Sequence, residues 1–184
     1  IVAKDYGCGD PTKDGQAGDS GGDRGSGSGK ACFLISQKVG SGGSVIGVDF
    51  NDSMLNLARR FEPEIAERIG FSNVRFVKAR IQDMALDLEK AEELLRNQPL
   101  ATLEQWAAFE EECARLRREE PAVPSESADM VVSNCVLNLV RPHDKASLFH
   151  EIHRVLKRGG RAVISDVVCD EDPTPTMMND PELW

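Results

Sequence analysis

Three short runs carry side chains that could do chemistry: Asp23-Arg-Gly-Ser-Gly-Ser-Gly29, Asp49, and Ile81-Gln82-Asp83. In the first, glycines let the backbone turn tightly and come close to a ligand, and the helix that follows offers free N–H groups to polar or anionic atoms. Neither common phosphate-binding loop is present. A P-loop ending at Gly29-Lys30 requires a glycine at position 24 and a hydroxyl residue at 31, where Arg24 and Ala31 stand. The pattern GxGxxG fails because Lys30 occupies the place of its third glycine. What remains is GxGxG after an acid, a spacing that a glycine-rich linker shares. Asp49 lies 24 residues past Gly25. An acid there accepts hydrogen bonds from both ribose hydroxyls of a nucleoside, or caps the next helix ahead of Asn51. In the third run Ile81 could cover an adenine face while the amide or acid reads its edge; a plain surface loop is the alternative.

These residues need elements to hold them, and the pattern supplies alternating helices and strands. Residues 7–29 are poor in large apolar side chains and by composition alone read as a flexible loop. Gly29 to Val39 reads as a helix with Phe33, Leu34 and Val39 inward, stopped by Gly40 and Gly42-Gly43. Ser44-Val-Ile-Gly-Val-Asp49 reads as a buried strand, and Asn51 or Asp52 caps a helix carrying Met54, Leu55, Leu57 and Ala58. Val74 to Val77 is a strand. Two helices follow. The first runs from Leu86 to Arg96. The second is opened by a capping box at Thr102 and Gln105 and runs to about Arg118, with Leu103, Trp106, Cys113 and Leu116 inward. Asp129 to Ser133 is a strand, Asp144 to Lys157 a helix with Gly159 as its terminal cap, and Arg161 to Ser165 a strand. Strands alternating with helices predict an α/β domain with a mainly parallel sheet and helices on both faces. In such sheets ligands bind at the carboxyl ends of the strands, where all three runs fall.

The chain has 184 residues, room for one domain with a real core. Lys and Arg number 22 against 31 Asp and Glu, a formal net charge of −9. With no basic stripe, that balance argues against a nucleic-acid partner. No apolar run reaches the ~18 residues of a membrane span, so no membrane partner is expected. The five cysteines, Cys8, Cys32, Cys113, Cys135 and Cys169, show no CxxC spacing, which argues against a zinc site. Their odd number and wide scatter fit reduced thiols in the cytoplasm. His143, His150 and His153 pair with no nucleophile and read as surface residues.

Several runs then occur in order: Tyr6-Gly-Cys-Gly9, Gly25-Ser-Gly-Ser-Gly29, Val48-Asp49, Ser133-Asn-Cys-Val-Leu-Asn-Leu139, Arg154-Val-Leu-Lys-Arg-Gly-Gly160 and Ser165-Asp-Val167. Together they resemble the arsenite S-adenosylmethionine methyltransferase family, within the class I methyltransferases. The resemblance implies a Rossmann-like fold and S-adenosyl-L-methionine as cofactor. It implies that Gly25, Gly27 and Gly29 cradle the methionine end, that Asp49 holds the ribose, that Phe50 flanks the adenine, and that Ile81 and Gln82 contact it. Asp23, Ser26 and Asn134 join the cofactor-binding set. Cys8 and Cys135 match cysteines that bind trivalent arsenic, so the substrate implied is arsenite or its thiol conjugate. Soft thiolates are suited to that ion. No resident metal is implied. Two other readings stay open: a methyltransferase of the same class acting on a small organic acceptor, and a non-catalytic binding remnant.

The chain departs from the family pattern in three places. Ser20-Gly-Gly-Asp-Arg24 stands where the family has an apolar strand, which puts cofactor binding in question. Residues 85–124 form a helical insertion longer than the family connection. The chain opens at Ile1 and ends at Pro181-Glu-Leu-Trp184, where the resemblance puts a further arsenic-binding cysteine just beyond, so 1–184 is expected to be one truncated domain.

Overall fold

The computed structural model describes residues 10–168, 170–171 and 174–178. Its centre is one five-stranded parallel sheet in the order β3-β2-β1-β4-β5. The strands are β1 (Ser20–Arg24), β2 (Ser44–Asp49), β3 (Val74–Lys78), β4 (Ala128–Asn134) and β5 (Leu156–Ser165). Helices α1 (Lys30–Val39) and α2 (Asp52–Ile69) cover one face through Cys32, Phe33, Ile35, Val39, Leu55 and Ala58. Helix α5 (Lys145–Val155) covers the other through Leu148, Ile152 and Val155. Between β3 and β4 stand α3 (Leu88–Asn97) and α4 (Leu103–Glu119), which bury a small core of their own around Leu86, Ala91, Cys113 and Leu116. The predicted α/β class with helices on both faces is what the chain adopts.

The segment that composition reads as a loop is the central strand. Strand β1 lies between β2 and β4, with Gly22 opposite Ile46 and Val131, and Arg24 opposite Val48 and Ser133. Its neighbours are strong strand formers, and pairing on both sides satisfies its backbone whatever its side chains are. The missing side chains are partly replaced from elsewhere. Ile35 Cγ2 lies 3.1 Å from where a Cβ on Gly21 would stand, and the Arg24 guanidinium occupies the space over Gly22, with Nη1 2.7 Å from that position. Arg24 is fully buried, and none of its three side-chain nitrogens has a hydrogen-bond partner.

Other expectations are corrected at helix surfaces and ends. Leu34 is 40% exposed, because α1 turns Phe33, Ile35 and Ser36 inward on either side of it. Leu103 is 84% and Trp106 50% exposed. The inward stripe of α4 is set by Phe109, Cys113 and Leu116, and at about 100° per residue Leu103 falls far off that stripe and Trp106 at its edge. Gly159 does not cap α5. The helix ends at Val155 because Leu156 pairs with Ala128, after which the register skips to Met130 opposite Arg161. The intervening Lys157-Arg-Gly-Gly160 makes a bulge, with Gly159 at φ 79°. The predicted caps are present: Asn51 Oδ1 accepts from Ser53 N and Met54 N, and Thr102 and Gln105 form the reciprocal box. The three histidines are exposed, and Cys32 and Cys113 are buried thiols.

Candidate functional site

The strand order reverses between β1 and β4, and the loops at that switch point diverge to leave a crevice at the carboxyl ends. A cleft of about 530 Å³ opens there. Its walls include Gly25 after β1, Asp49 and Phe50 after β2, Ile81 and Gln82 after β3, and Val136 after β4. Candidates from three strand ends thus meet in one cleft with Val136 after β4, whereas Asp23, Ser26, Gly27, Gly29, Asn134 and Cys135 are not among its lining residues.

The glycine loop reaches its shape by short backbone bonds. Gly25 N and Ser26 N both donate to Val48 O, at 2.9 and 3.0 Å, and Gly29 N donates to Ser26 O at 2.8 Å. Gly25 has φ 79°, and a Cβ on it would lie 2.6 Å from Val136 Cγ2, so only glycine fits where the loop meets β4. Gly29, the N-cap of α1, has φ 85° and would place a Cβ 2.7 Å from Phe76 Cζ. Phe76, set edge-on against Phe33 with centroids 5.6 Å apart, supports the loop from β3. Ser26 Oγ is buried in this loop and has no partner.

Asp49 is nearly buried, and its carboxylate ties two loops together. Oδ2 accepts from Gly27 N at 2.8 Å and Oδ1 from Asn51 N at 2.9 Å. Each oxygen keeps a further lone pair for a ligand hydroxyl. The predicted capping role belongs to Asn51. Phe50 is 67% exposed on the rim of the cleft, and Ile81 is buried on its wall beside Gln82.

Asp23 sits on the opposite face of β1 from Arg24, beneath α1, where Cys32 Sγ donates to its Oδ2 at 3.8 Å. Burial raises the Asp23 carboxyl to about 7, with the adjacent Arg24 charge opposing the rise. Burial also holds the Cys32 thiol well above its ordinary value. The sign of the stability effect follows. From pH 4 to 7 the folded chain keeps the Asp23 proton that the unfolded chain releases, so this group's contribution falls as pH rises and levels off above about 7. The parent chain should therefore lose stability relative to Asp23→Asn across that window in denaturant titrations. Parallel profiles would remove the effect.

At the end of β4, Asn134 is half-buried and Cys135 follows at φ 53°, a left-handed conformation rare outside glycine. Cys135 N donates to Ser165 O at 2.8 Å, and Cys135 is disulfide-bonded here, not the reduced thiol that the wide scatter of the cysteines predicts. The turn after it is held by Asp166, whose Oδ2 accepts from Leu137 N at 2.7 Å and whose Oδ1 accepts from Val167 N at 2.9 Å. The run Ser165-Asp-Val167 carries Asp166, whose role in holding this turn depends on a partner 29 residues away and is not visible in its spacing. Met54, Arg80, Leu139, Val140, Arg141 and Asp144 also line the cleft, and only folding brings them there. Cys8 and Cys169 lie outside the described residues. Among the described residues no cluster of His, Cys, Asp and Glu could hold a metal ion, and no helix is long and apolar enough to cross a membrane.

Two family models, each described as a methyltransferase domain, match residues 23–122 and 117–164. The chain is 32% identical over 164 residues to the arsenite methyltransferase of Mus musculus, covering 88% of this chain and 34% of that protein. It is 35% identical over 162 residues to the arsenite methyltransferase of Aquipseudomonas alcaligenes, covering 88% and 36%. It thus spans about a third of the length of these curated relatives. Among solved structures, CrArsM, an arsenic (III) S-adenosylmethionine methyltransferase from Chlamydomonas reinhardtii, superposes with a TM-score of 0.72 at 29% identity, covering 99% of this chain and 50% of that one. A SAM-dependent methyltransferase from Aquifex aeolicus, at 20% identity and TM-score 0.55, shares the fold.

Proposed function

Because this chain belongs to the methyltransferase-domain family, we propose that its cleft binds S-adenosyl-L-methionine and that the protein methylates trivalent arsenic held by cysteine thiolates. The observation that supports this most is the meeting of Gly25, Asp49, Ile81, Gln82 and Val136 in one cleft at the sheet's switch point. The residues suit the cofactor. Ser26 offers a buried hydroxyl with no partner, Gly25 leaves no room for a side chain, and Asp49 keeps lone pairs in reach of a ribose. Gly25, Ser26, Gly27 and Gly29 would hold the methionine end. Asp49 would hold the ribose, and Phe50, Ile81 and Gln82 the adenine. Asp23 would act from beneath α1, where it meets Cys32, and Asn134 at the β4 end. When bound, S-adenosylmethionine supplies an electrophilic methyl group on a sulfonium.

The thiolates would be Cys8 and Cys135. Opening the Cys135 disulfide with a thiol reductant would free the sulfur, and Cys135 directly precedes Val136, which lines the cleft. Cys8 and Cys135 would hold the arsenic with its lone pair toward the sulfonium methyl, so that an As–C bond would form as the S–C bond breaks and S-adenosylhomocysteine leaves; alignment, not a strong general base, would be the main need. We infer a small-molecule acceptor, arsenite or its thiol conjugate, with no nucleic-acid or membrane partner, and work in the cytoplasm, where thiols stay reduced. Under reducing conditions Cys135→Ser should weaken arsenite binding at least tenfold and leave S-adenosylhomocysteine binding within twofold, both read by calorimetry. Equal loss of both would count against the thiolate assignment. Turnover with a small organic acceptor that arsenite does not inhibit would replace the arsenic reading.

A further inference from the structure

The turn that carries Ile81 and Gln82 also carries an acid, and the structure turns that acid away from the cleft. Arg80, Ile81 and Gln82 line the cleft, whereas the Asp83 carboxylate is gripped by Arg117 of α4. Arg117 Nη2 lies 2.8 Å from Asp83 Oδ2, and Nε lies 3.1 Å from Oδ2 and 3.3 Å from Oδ1. Asp83 N donates to Arg80 O at 2.9 Å and closes the turn. The next residues are clamped from both sides. Met84 N donates to Glu151 Oε2 at 2.7 Å, while Val123 N and Ala122 N, just past the helical pair, donate to Met84 O and Ala85 O at 3.0 Å each.

The other helix of the pair is tied to the layer below the same cleft. Glu89 of α3 takes both terminal nitrogens of Arg59, at 2.7 and 3.0 Å, and Arg59 Nη2 also donates to Phe76 O at 3.0 Å. Lys78, at the end of β3, pairs with Asp52 at 2.8 Å and with Glu92 of α3. The helical pair therefore grips β3 through α3 and the turn after β3 through α4. Its remaining contacts are largely its own small apolar core.

We propose that Arg117 is a positioning residue for the nucleoside end of the cofactor, acting through Asp83 to hold the Ile81-Gln82 turn in its ligand-ready shape. The inference rests on reading the cleft as the S-adenosylmethionine site. A turn already ordered costs the ligand less to bind than one it must order itself. The clamp also leaves adenine recognition to the Gln82 amide and keeps a free carboxylate from competing for the same edge. The pair is partly exposed, with side chains 40% and 31% accessible, so removing it should disturb the fold little.

The test is a double-mutant cycle on this chain, with S-adenosylhomocysteine affinity read by calorimetry. Arg117→Gln and Asp83→Asn should each weaken binding about five- to tenfold while the melting temperature stays within about 3 °C of the parent. The double variant should bind no worse than either single one, and Arg117→Lys should recover part of the loss. Affinities within twofold of the parent for Arg117→Gln, or losses that simply multiply in the double variant, would overturn the inference. Failure of the parent itself to bind S-adenosylhomocysteine would overturn the reading of the cleft, and the inference would fall with it.

Discussion

Arg24→Leu should raise the free energy of unfolding by about 3 kcal/mol at neutral pH, a large gain for one substitution. Arg24 is fully buried in the central strand, and all three of its nitrogens lack hydrogen-bond partners. Burial lowers its pKa to about 10, with the Asp23 charge opposing the drop. A depression of that size corresponds to about 3 kcal/mol of lost stability for the charged form. Replacing a whole buried ion pair by apolar residues of similar volume is often neutral or stabilising, by up to about 4 kcal/mol, and here Asp23, left without Arg24, can stay protonated because burial already raises its carboxyl. Leucine is shorter and vacates the space over Gly22 that the guanidinium fills. Adding Gly22→Val should therefore gain roughly a further 1 kcal/mol, from burial and from a less flexible unfolded chain. Urea titration would read both as a shifted midpoint with an unchanged slope. A lower midpoint for Arg24→Leu would show that the guanidinium is better satisfied than its surroundings indicate.

Asp49→Ala should weaken S-adenosylhomocysteine binding more than about 100-fold. Hydrogen bonds to a charged group contribute roughly 1.5–3 kcal/mol each, and two ribose hydroxyls would lose theirs, which is two decades or more in affinity. The same carboxylate holds Gly27 N and Asn51 N, so its loss also loosens the glycine loop. Asp49→Asn keeps the shape and one acceptor, and should fall between parent and alanine. A fall of less than fivefold for Asp49→Ala, in a chain that still melts cooperatively, would place the ribose elsewhere.

The local features of this fold were legible in its sequence, because they depend on neighbours in the chain. The Asn51 cap and the Thr102–Gln105 box each join a side chain to backbone two or three residues away. Strand β2 is an apolar run that ends in its acid, with the bounds the pattern predicts. Facing was legible only in part: Phe33, Val39, Cys113 and Leu116 turn inward as their spacing predicts, whereas Leu34, Leu103 and Trp106 do not. Leu103 and Trp106 have the right character for a core and the wrong angle on α4. Gly159 has the right position for a cap, but the pairing of Leu156 with Ala128 ends the helix first.

Composition, spacing and the order of short runs such as Gly25-Ser-Gly-Ser-Gly29 and Val48-Asp49 were enough to determine the α/β class, the methyltransferase resemblance, and the placing of Gly25, Asp49, Ile81 and Gln82 at strand ends. Tertiary structure decided that a segment with two glycines and an arginine becomes the central strand, since β2 and β4 supply backbone partners regardless of its side chains. It also decided that Asp23 meets Cys32 and that Asp83 turns from the cleft to Arg117. Asp83 and Arg117 lie 34 residues apart, joined only once two helices pack back toward β3. Burial and long-range pairing depend on which surfaces come together, and no short window of the chain contains both partners.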